Sequence, residues 1–142
     1  MKSCSVLGLG YIGLPTSIVL AKAGFKVVGV DVNDKIVKTL NSGSLHFEEP
    51  GLNEIFLEVQ ENKSFEACLN PRKSDVFIIA VPTPNIIEKN ARPRPNIEFV
   101  FNAAESISKV IESENIVIIE STSPVGTSEK VLEILCNKSG LK

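Results

Sequence analysis

The segment VLGLGYIGLPTSIVLAKAGFKVVGVD, residues 6–31, runs from a short apolar strand through a glycine turn and an apolar helix to a second strand closed by an acid. This is the layout of a βαβ unit that binds a dinucleotide. Gly8, Gly10 and Gly13 carry the G-x-G-x-x-G spacing. The first glycine permits the tight turn, the second lets a pyrophosphate approach the backbone, and the third lets helix and strand pack closely. The pattern predicts a helix from near Tyr11, whose free N–H groups and positive dipole end face that phosphate. Asp31 closes Lys26-Val27-Val28-Gly29-Val30, where an acid accepts hydrogen bonds from the adenosine ribose.

A chain of 142 residues makes one domain, and a domain of that size buries about 70% of the surface its unfolded chain exposes. A net charge of −2 gives no reason to expect a nucleic acid or an anionic membrane as partner. The opening MKSCSVLGLG enters a strand without a signal-peptide pattern, and no apolar run approaches bilayer length. A cytoplasmic location is expected. Cys4, Cys68 and Cys136 lie far apart, which suggests neither a disulfide framework nor a paired metal site. They read as small, buried or half-buried apolar side chains. His46, the only histidine, excludes a multi-histidine metal site and makes a Ser-His-Asp hydrolase unattractive. It reads as a loop residue, and no metal site is expected.

Along the rest of the chain, Asn33 caps a helix running to about Asn41 and ended by Gly43, with Ile36, Val37 and Leu40 inward. Residues 44–51 read as loop. Leu52, Ile55, Phe56 and Val59 form the stripe of a short helix. Phe65 to Leu69 reads as a short strand, and Val76 to Val81 as a strand buried on both faces. The stretch from Pro82 to Pro95 is polar, proline-rich and loop-like. Asn96 caps a helix with Ile97, Val100, Phe101, Ala104, Ile107 and Ile111 on one stripe. A further buried strand is expected over Asn115–Ile119, then a last helix from near Thr127 with Val131, Leu132 and Leu135 inward. Strands alternating with helices give an α/β class, a Rossmann-like parallel sheet with helices on both faces.

In a sheet of order 3-2-1-4-5 the chain reverses direction between the first and fourth strands, and ligands bind outside the carboxyl ends at that crevice. Three segments should converge there: the glycine turn, Val81-Pro82-Thr83-Pro84, and Glu120-Ser121-Thr122. The hydroxyls of Thr83 and Thr122 can then reach a phosphate, a ribose or the nicotinamide amide. A turn or helix-capping hydroxyl is the competing reading for each.

Taken together, Gly8-Leu9-Gly10-Tyr11-Ile12-Gly13-Leu14-Pro15, Gly29-Val30-Asp31, Glu49-Pro50-Gly51-Leu52, Val81-Pro82-Thr83-Pro84 and Glu120-Ser121-Thr122-Ser123-Pro124-Val125-Gly126-Thr127 resemble the N-terminal domain of the UDP-glucose/GDP-mannose dehydrogenase family. The glutamate and the Ser-Thr-Ser-Pro order look like its mannosamine branch. The resemblance implies that residues 1–142 form the NAD-binding domain, with the central helix and the substrate domain lying beyond Lys142. It implies NAD contacts from Gly8, Gly10, Tyr11, Ile12 and Gly13, from Asp31 and Lys35 on the adenosine side, and from Thr83 and Thr122. Family members oxidise a sugar C6 alcohol to a carboxylate in two hydride transfers, through a cysteine thiohemiacetal and thioester, for cell-surface polysaccharide precursors. None of Cys4, Cys68 or Cys136 sits in a matching motif, so no catalytic residue is expected in this chain beyond an assisting role for Thr122. The nucleotide sugar would bind only with the substrate domain, and full-length relatives are expected to be homo-oligomers.

Two alternatives stay open: a free-standing, non-catalytic NAD-binding module, and the domain of another branch such as UDP-glucose 6-dehydrogenase. The β-hydroxyacid dehydrogenases share the glycine pattern, but they prefer Asn-Arg where Asp31-Val32 stands here.

Overall fold

The computed structural model describes residues 2–88 and 92–141. In chain order its elements are β1 (Ser3–Leu7), α1 (Gly13–Lys22), β2 (Lys26–Val30), α2 (Asp34–Asn41), α3 (Leu52–Glu61), β3 (Phe65–Cys68), β4 (Val76–Ile79), β5 (Asn85–Ile86), β6 (Arg94–Pro95), α4 (Glu98–Ile107), β7 (Ile116–Ile119) and α5 (Thr127–Ser139). Five strands form a parallel sheet in the order β3-β2-β1-β4-β7, with Leu7 opposite Val30 on one side and Ile79 on the other. The expected Rossmann-like α/β class is what the chain adopts.

Adjacent residues of the central strands face opposite sides, and both sides are covered. Val6 and Ile78 join a core with Leu14 and Ile18 of α1, Leu40 of α2, and Phe56 and Val59 of α3. Leu7 and Ile79 join a second core with Val100 and Ile107 of α4 and Val131 and Leu135 of α5. That is why β4 reads as an unbroken apolar run. Gly29 makes room in the first core: a Cβ there would lie 2.8 Å from the Phe65 ring, which packs edge-on against Phe56 at 5.9 Å. Within β1, Ser5 is fully buried, and its hydroxyl is satisfied by Ser74 Oγ at 2.8 Å.

Several expectations need correction. The Asn115–Ile119 strand is real as β7 but is not buried. It is the sheet edge, and Ile116 and Ile118 are 57% and 44% exposed because no helix covers that side. Leu132 does not face inward. It is 62% exposed, since Thr127, Val131 and Leu135, four residues apart, already fill the contact with α4 and the sheet. Between Pro82 and Pro95 the chain is not simply a loop, because β5 and β6 pair as an antiparallel ribbon. Strands β3 and β4 stop at Cys68 and Ile79, leaving Leu69 exposed and Val81 in the following loop. Asn96 does accept from the Glu98 amide, at 3.0 Å, but α4 ends at Ile107, and Ile111 reaches the second core from the turn beyond it.

The other helix boundaries follow their caps. Asn33 Oδ1 accepts from the Lys35 amide at 3.0 Å and opens α2, and Gly43, at φ +83°, closes it. Phe56 has no exposed surface, so Phe56→Ala should destabilise the domain by about 3–5 kcal/mol, read as a lower urea midpoint at unchanged slope. Cys4 is 1% exposed, and burial pushes its thiol from about 9 up to about 11. The unfolded chain ionises this thiol first, so stability should fall between about pH 9 and 11. Cys4→Ala should flatten that part of a pH-dependent denaturation profile.

Candidate functional site

The three glycines of the turn after β1 meet different demands. Gly8 has φ +95°, and a Cβ on it would lie 2.7 Å from the Ala80 carbonyl oxygen. A Cβ on Gly13 would lie 1.8 Å from the Gly8 carbonyl oxygen. Both positions are dictated by packing of the turn against itself and against the end of β4. A Cβ on Gly10 would meet nothing within 4 Å. The fold gives no reason for glycine at that position, and the space beside it is open.

Helix α1 begins at Gly13 rather than near Tyr11, because residues 10–12 are still turning. Ile12 stands at the cap position and provides no side-chain acceptor. Among the described residues, the amides of Gly10, Tyr11, Ile12 and Gly13 make no hydrogen bond, whereas the Leu14 amide already bonds the Gly10 carbonyl at 3.1 Å. A helix end with four free N–H groups and no cap suits an anion.

Asp31 braces this turn from the side. Its Oδ2 accepts from the Leu9 amide at 3.0 Å and its Oδ1 from the Asn33 amide at 2.9 Å. Each oxygen keeps a further lone pair for an incoming hydroxyl. Lys35 is exposed in the first turn of α2, one helical turn past Asp31, and among the described residues its ammonium pairs with neither Asp31 nor the turn.

The other wall comes from the ends of β4 and β7. The Ser121 hydroxyl donates to the Val81 carbonyl at 2.7 Å, and the Glu120 amide to the Ile79 carbonyl at 2.9 Å, so the two strand ends are stitched together. Thr83 and Thr122 thereby line one open depression of about 590 Å³, with Asn85, Pro95, Ser123 and Pro124. Neither threonine hydroxyl makes a hydrogen bond among the described residues; the turn-closing role falls to Ser121 and to Thr127, which donates to the Pro124 carbonyl at 2.8 Å. The Thr16 hydroxyl of α1 reaches across to Glu120 Oε1 at 3.1 Å and joins the two walls.

Thus Gly8, Gly10, Tyr11, Ile12, Gly13 and Asp31 form one cluster, and Thr83 and Thr122 form the adjoining depression. Gly8 packs against Ala80, at the end of the strand whose following loop carries Thr83. Sequence reasoning missed Ser121, Thr16 and the side chains that the β5–β6 ribbon contributes. Ser121 at least adjoins a chosen threonine; Thr16 meets Glu120 only through the fold. Cys4 is buried in β1 and Cys136 is late in α5, whereas Cys68 ends β3 next to Asp31, whose amide donates to the Cys68 carbonyl at 3.1 Å. Among the described residues no group of three or more His, Cys, Asp or Glu is placed to hold a metal. No described helix is long and apolar enough to cross a membrane.

Residues 2–142 match the UDP-glucose/GDP-mannose dehydrogenase family, NAD binding domain. The chain is 44% identical over 137 residues to a UDP-N-acetyl-D-mannosamine dehydrogenase of Campylobacter jejuni, covering 96% of this chain and 33% of that protein. An NDP-N-acetyl-D-galactosaminuronic acid dehydrogenase of Ralstonia nicotianae is 40% identical, covering 94% and 31%. Among solved structures, a UDP-N-acetyl-mannosamine dehydrogenase from S. aureus superposes with a TM-score of 0.92 at 39% identity, over 99% of this chain and 33% of that one. The chain spans about a third of the length of the curated relatives it matches.

The turn geometry separates two glycines by experiment. Gly13→Ala should cost roughly 3 kcal/mol or more, because backbone rather than a movable side chain stands in the way. Gly10→Ala should leave the denaturation midpoint nearly where it was.

Proposed function

Because this chain belongs to the UDP-glucose/GDP-mannose dehydrogenase family, we propose that residues 1–142 are the NAD-binding domain of a nucleotide-sugar 6-dehydrogenase. Its substrate is proposed to be UDP-N-acetyl-D-mannosamine, whose C6 alcohol is oxidised to a carboxylate for cell-surface polysaccharide precursors. The names of the C. jejuni and S. aureus relatives support that branch. The observation that carries the cofactor reading is the unfilled space at Gly10 beside four amides that make no hydrogen bond among the described residues, with the Asp31 carboxylate next to it.

NAD supplies a hydride acceptor, and the chain's own residues hold it in place. Backbone at Gly8, Gly10, Tyr11, Ile12 and Gly13 cradles the pyrophosphate. Asp31 accepts from the adenosine ribose, with the Lys35 ammonium on the same side. Thr83 and Thr122 bind toward the nicotinamide, and Thr122 assists the reaction when substrate is present. Hydride transfer also needs the alcohol held within about 3.5 Å and aligned, and no described segment supplies that clamp. We therefore place substrate binding and the nucleophilic cysteine in the part of the enzyme that corresponds to the rest of the relatives' length. Three free thiols fit a cytoplasmic location, and the full-length enzyme is proposed to be a homo-oligomer.

Titration calorimetry should find NAD preferred over NADP. Asp31 faces the ribose hydroxyls but would repel a 2′-phosphate, and hydrogen bonds to a charged group contribute roughly 1.5–3 kcal/mol, about ten-fold to more than hundred-fold in affinity. Equal dissociation constants for the two cofactors would refute the assignment of Asp31. Gly10→Val should abolish NAD binding while the circular dichroism spectrum stays unchanged, since the new side chain fills only the ligand's space. In an NADH absorbance assay the isolated chain should oxidise neither UDP-N-acetylmannosamine nor UDP-glucose. Turnover that disappears on replacing Cys4, Cys68 and Cys136 together by serine would overturn the assignment of those cysteines to packing.

A further inference from the structure

The turn after β1 has a brace on one side, where Asp31 holds the Leu9 amide. It also carries Tyr11, a residue 75% exposed whose ring nonetheless has a neighbour. It lies 4.6 Å from the Phe47 ring, tilted by 40°, and Phe47 in turn has the His46 ring edge-on at 4.8 Å. Phe47 belongs to the loop between α2 and α3, remote from the glycine turn in sequence, and packs partly buried against the core beneath α1 and α3. The core thus reaches Tyr11, within the glycine turn, through two rings in tilted contact.

We propose that Phe47 is a positioning residue of the cofactor site: by packing its ring against Tyr11 it holds that part of the glycine turn in its binding geometry before the dinucleotide arrives. The proposal rests on the reading of this turn as the NAD pyrophosphate site. Among the described residues the turn has no capping side chain, and while the Gly10 and Ile12 carbonyls accept from the Leu14 and Thr16 amides, Pro15 has no N–H to offer the Tyr11 carbonyl, so without a brace on its ring the Tyr11 peptide is left for the ligand to order. Ordering free segments on binding lowers affinity, and fixing them beforehand restores it. Phe47 need not touch NAD to have this effect.

Tyr11 is the only tyrosine and the chain has no tryptophan, so tyrosine emission is a single-site reporter of this ring. The test uses the chain as it stands, with Phe47→Ala, Phe47→Tyr, Tyr11→Ala and the Tyr11→Ala/Phe47→Ala pair. Without NAD, Phe47→Ala should lower the anisotropy of Tyr11 emission and increase its quenching by iodide. By calorimetry it should weaken NAD binding roughly 2- to 10-fold, the range set by one aromatic pair, and Phe47→Tyr should bind as wild type. In the Tyr11→Ala background, Phe47→Ala should have no further effect on NAD affinity, because the route through Tyr11 is already gone. Equal weakening in both backgrounds, or wild-type affinity in a folded Phe47→Ala chain, overturns the inference and leaves the NAD reading standing. Failure of the wild-type chain to bind NAD overturns both. If Phe47→Ala unfolds the loop, Phe47→Leu keeps the apolar anchor without the ring face, and the same outcomes apply to it.

Discussion

Gly13 lies so close to the Gly8 carbonyl that a single added methyl carbon would be 1.8 Å from the oxygen, and the ligand-facing end of the molecule depends on that approach. It brings the start of α1 down onto the carboxyl end of β1, the central strand of the sheet. The same turn presses Gly8 against Ala80 at the end of β4. One short loop therefore sets the distance between the first strand, its helix and the fourth strand. Only a residue without a side chain fits at either contact, and at Gly8 the positive φ adds a second reason.

The turn sets unpaired N–H groups and a carboxylate side by side, the distribution on which the proposed NAD site rests. The uncapped start of α1 presents N–H groups without competing side-chain acceptors. Asp31 stands to one side, its carboxylate partly neutralised by two backbone donors. Such an acid can face ribose hydroxyls without occupying the phosphate's place. Surface ion pairs have little part in this. Pairs such as Lys22–Glu58 and Arg72–Glu66 are about half exposed, and pairs of that kind contribute at most about 1 kcal/mol.

The walls of the crevice are held by short polar contacts between distant parts of the chain. Ser121 fastens the end of β7 to the end of β4, and Thr16 joins α1 to Glu120. Among the described residues the Thr83 and Thr122 hydroxyls make no hydrogen bond, at strand ends held in register by these bonds. The rings of Tyr11 and Phe47 are a further long-range contact of this kind.

The sequence by itself determined the elements whose cause is local. Glycine spacing marked the turn, Asn33 and Gly43 bounded α2, and the apolar run of β4 gave a strand covered on both faces. It also pointed to Thr83 and Thr122, because strand ends on either side of a topological reversal meet. Only the tertiary structure decided what depends on neighbours. An apolar strand reads alike at the centre and at the edge, so the exposure of Ile116 and Ile118 waited on β7 having a single partner. Leu132 fits a helical stripe as well as Leu135 does, yet three other residues of α5 fill the contact. Ser121, Thr16 and Phe47 carry no local signature, because each acts on a segment far away in sequence. Periodicity records what a residue's own helix or strand requires, whereas a contact between remote segments exists only once the chain has brought them together.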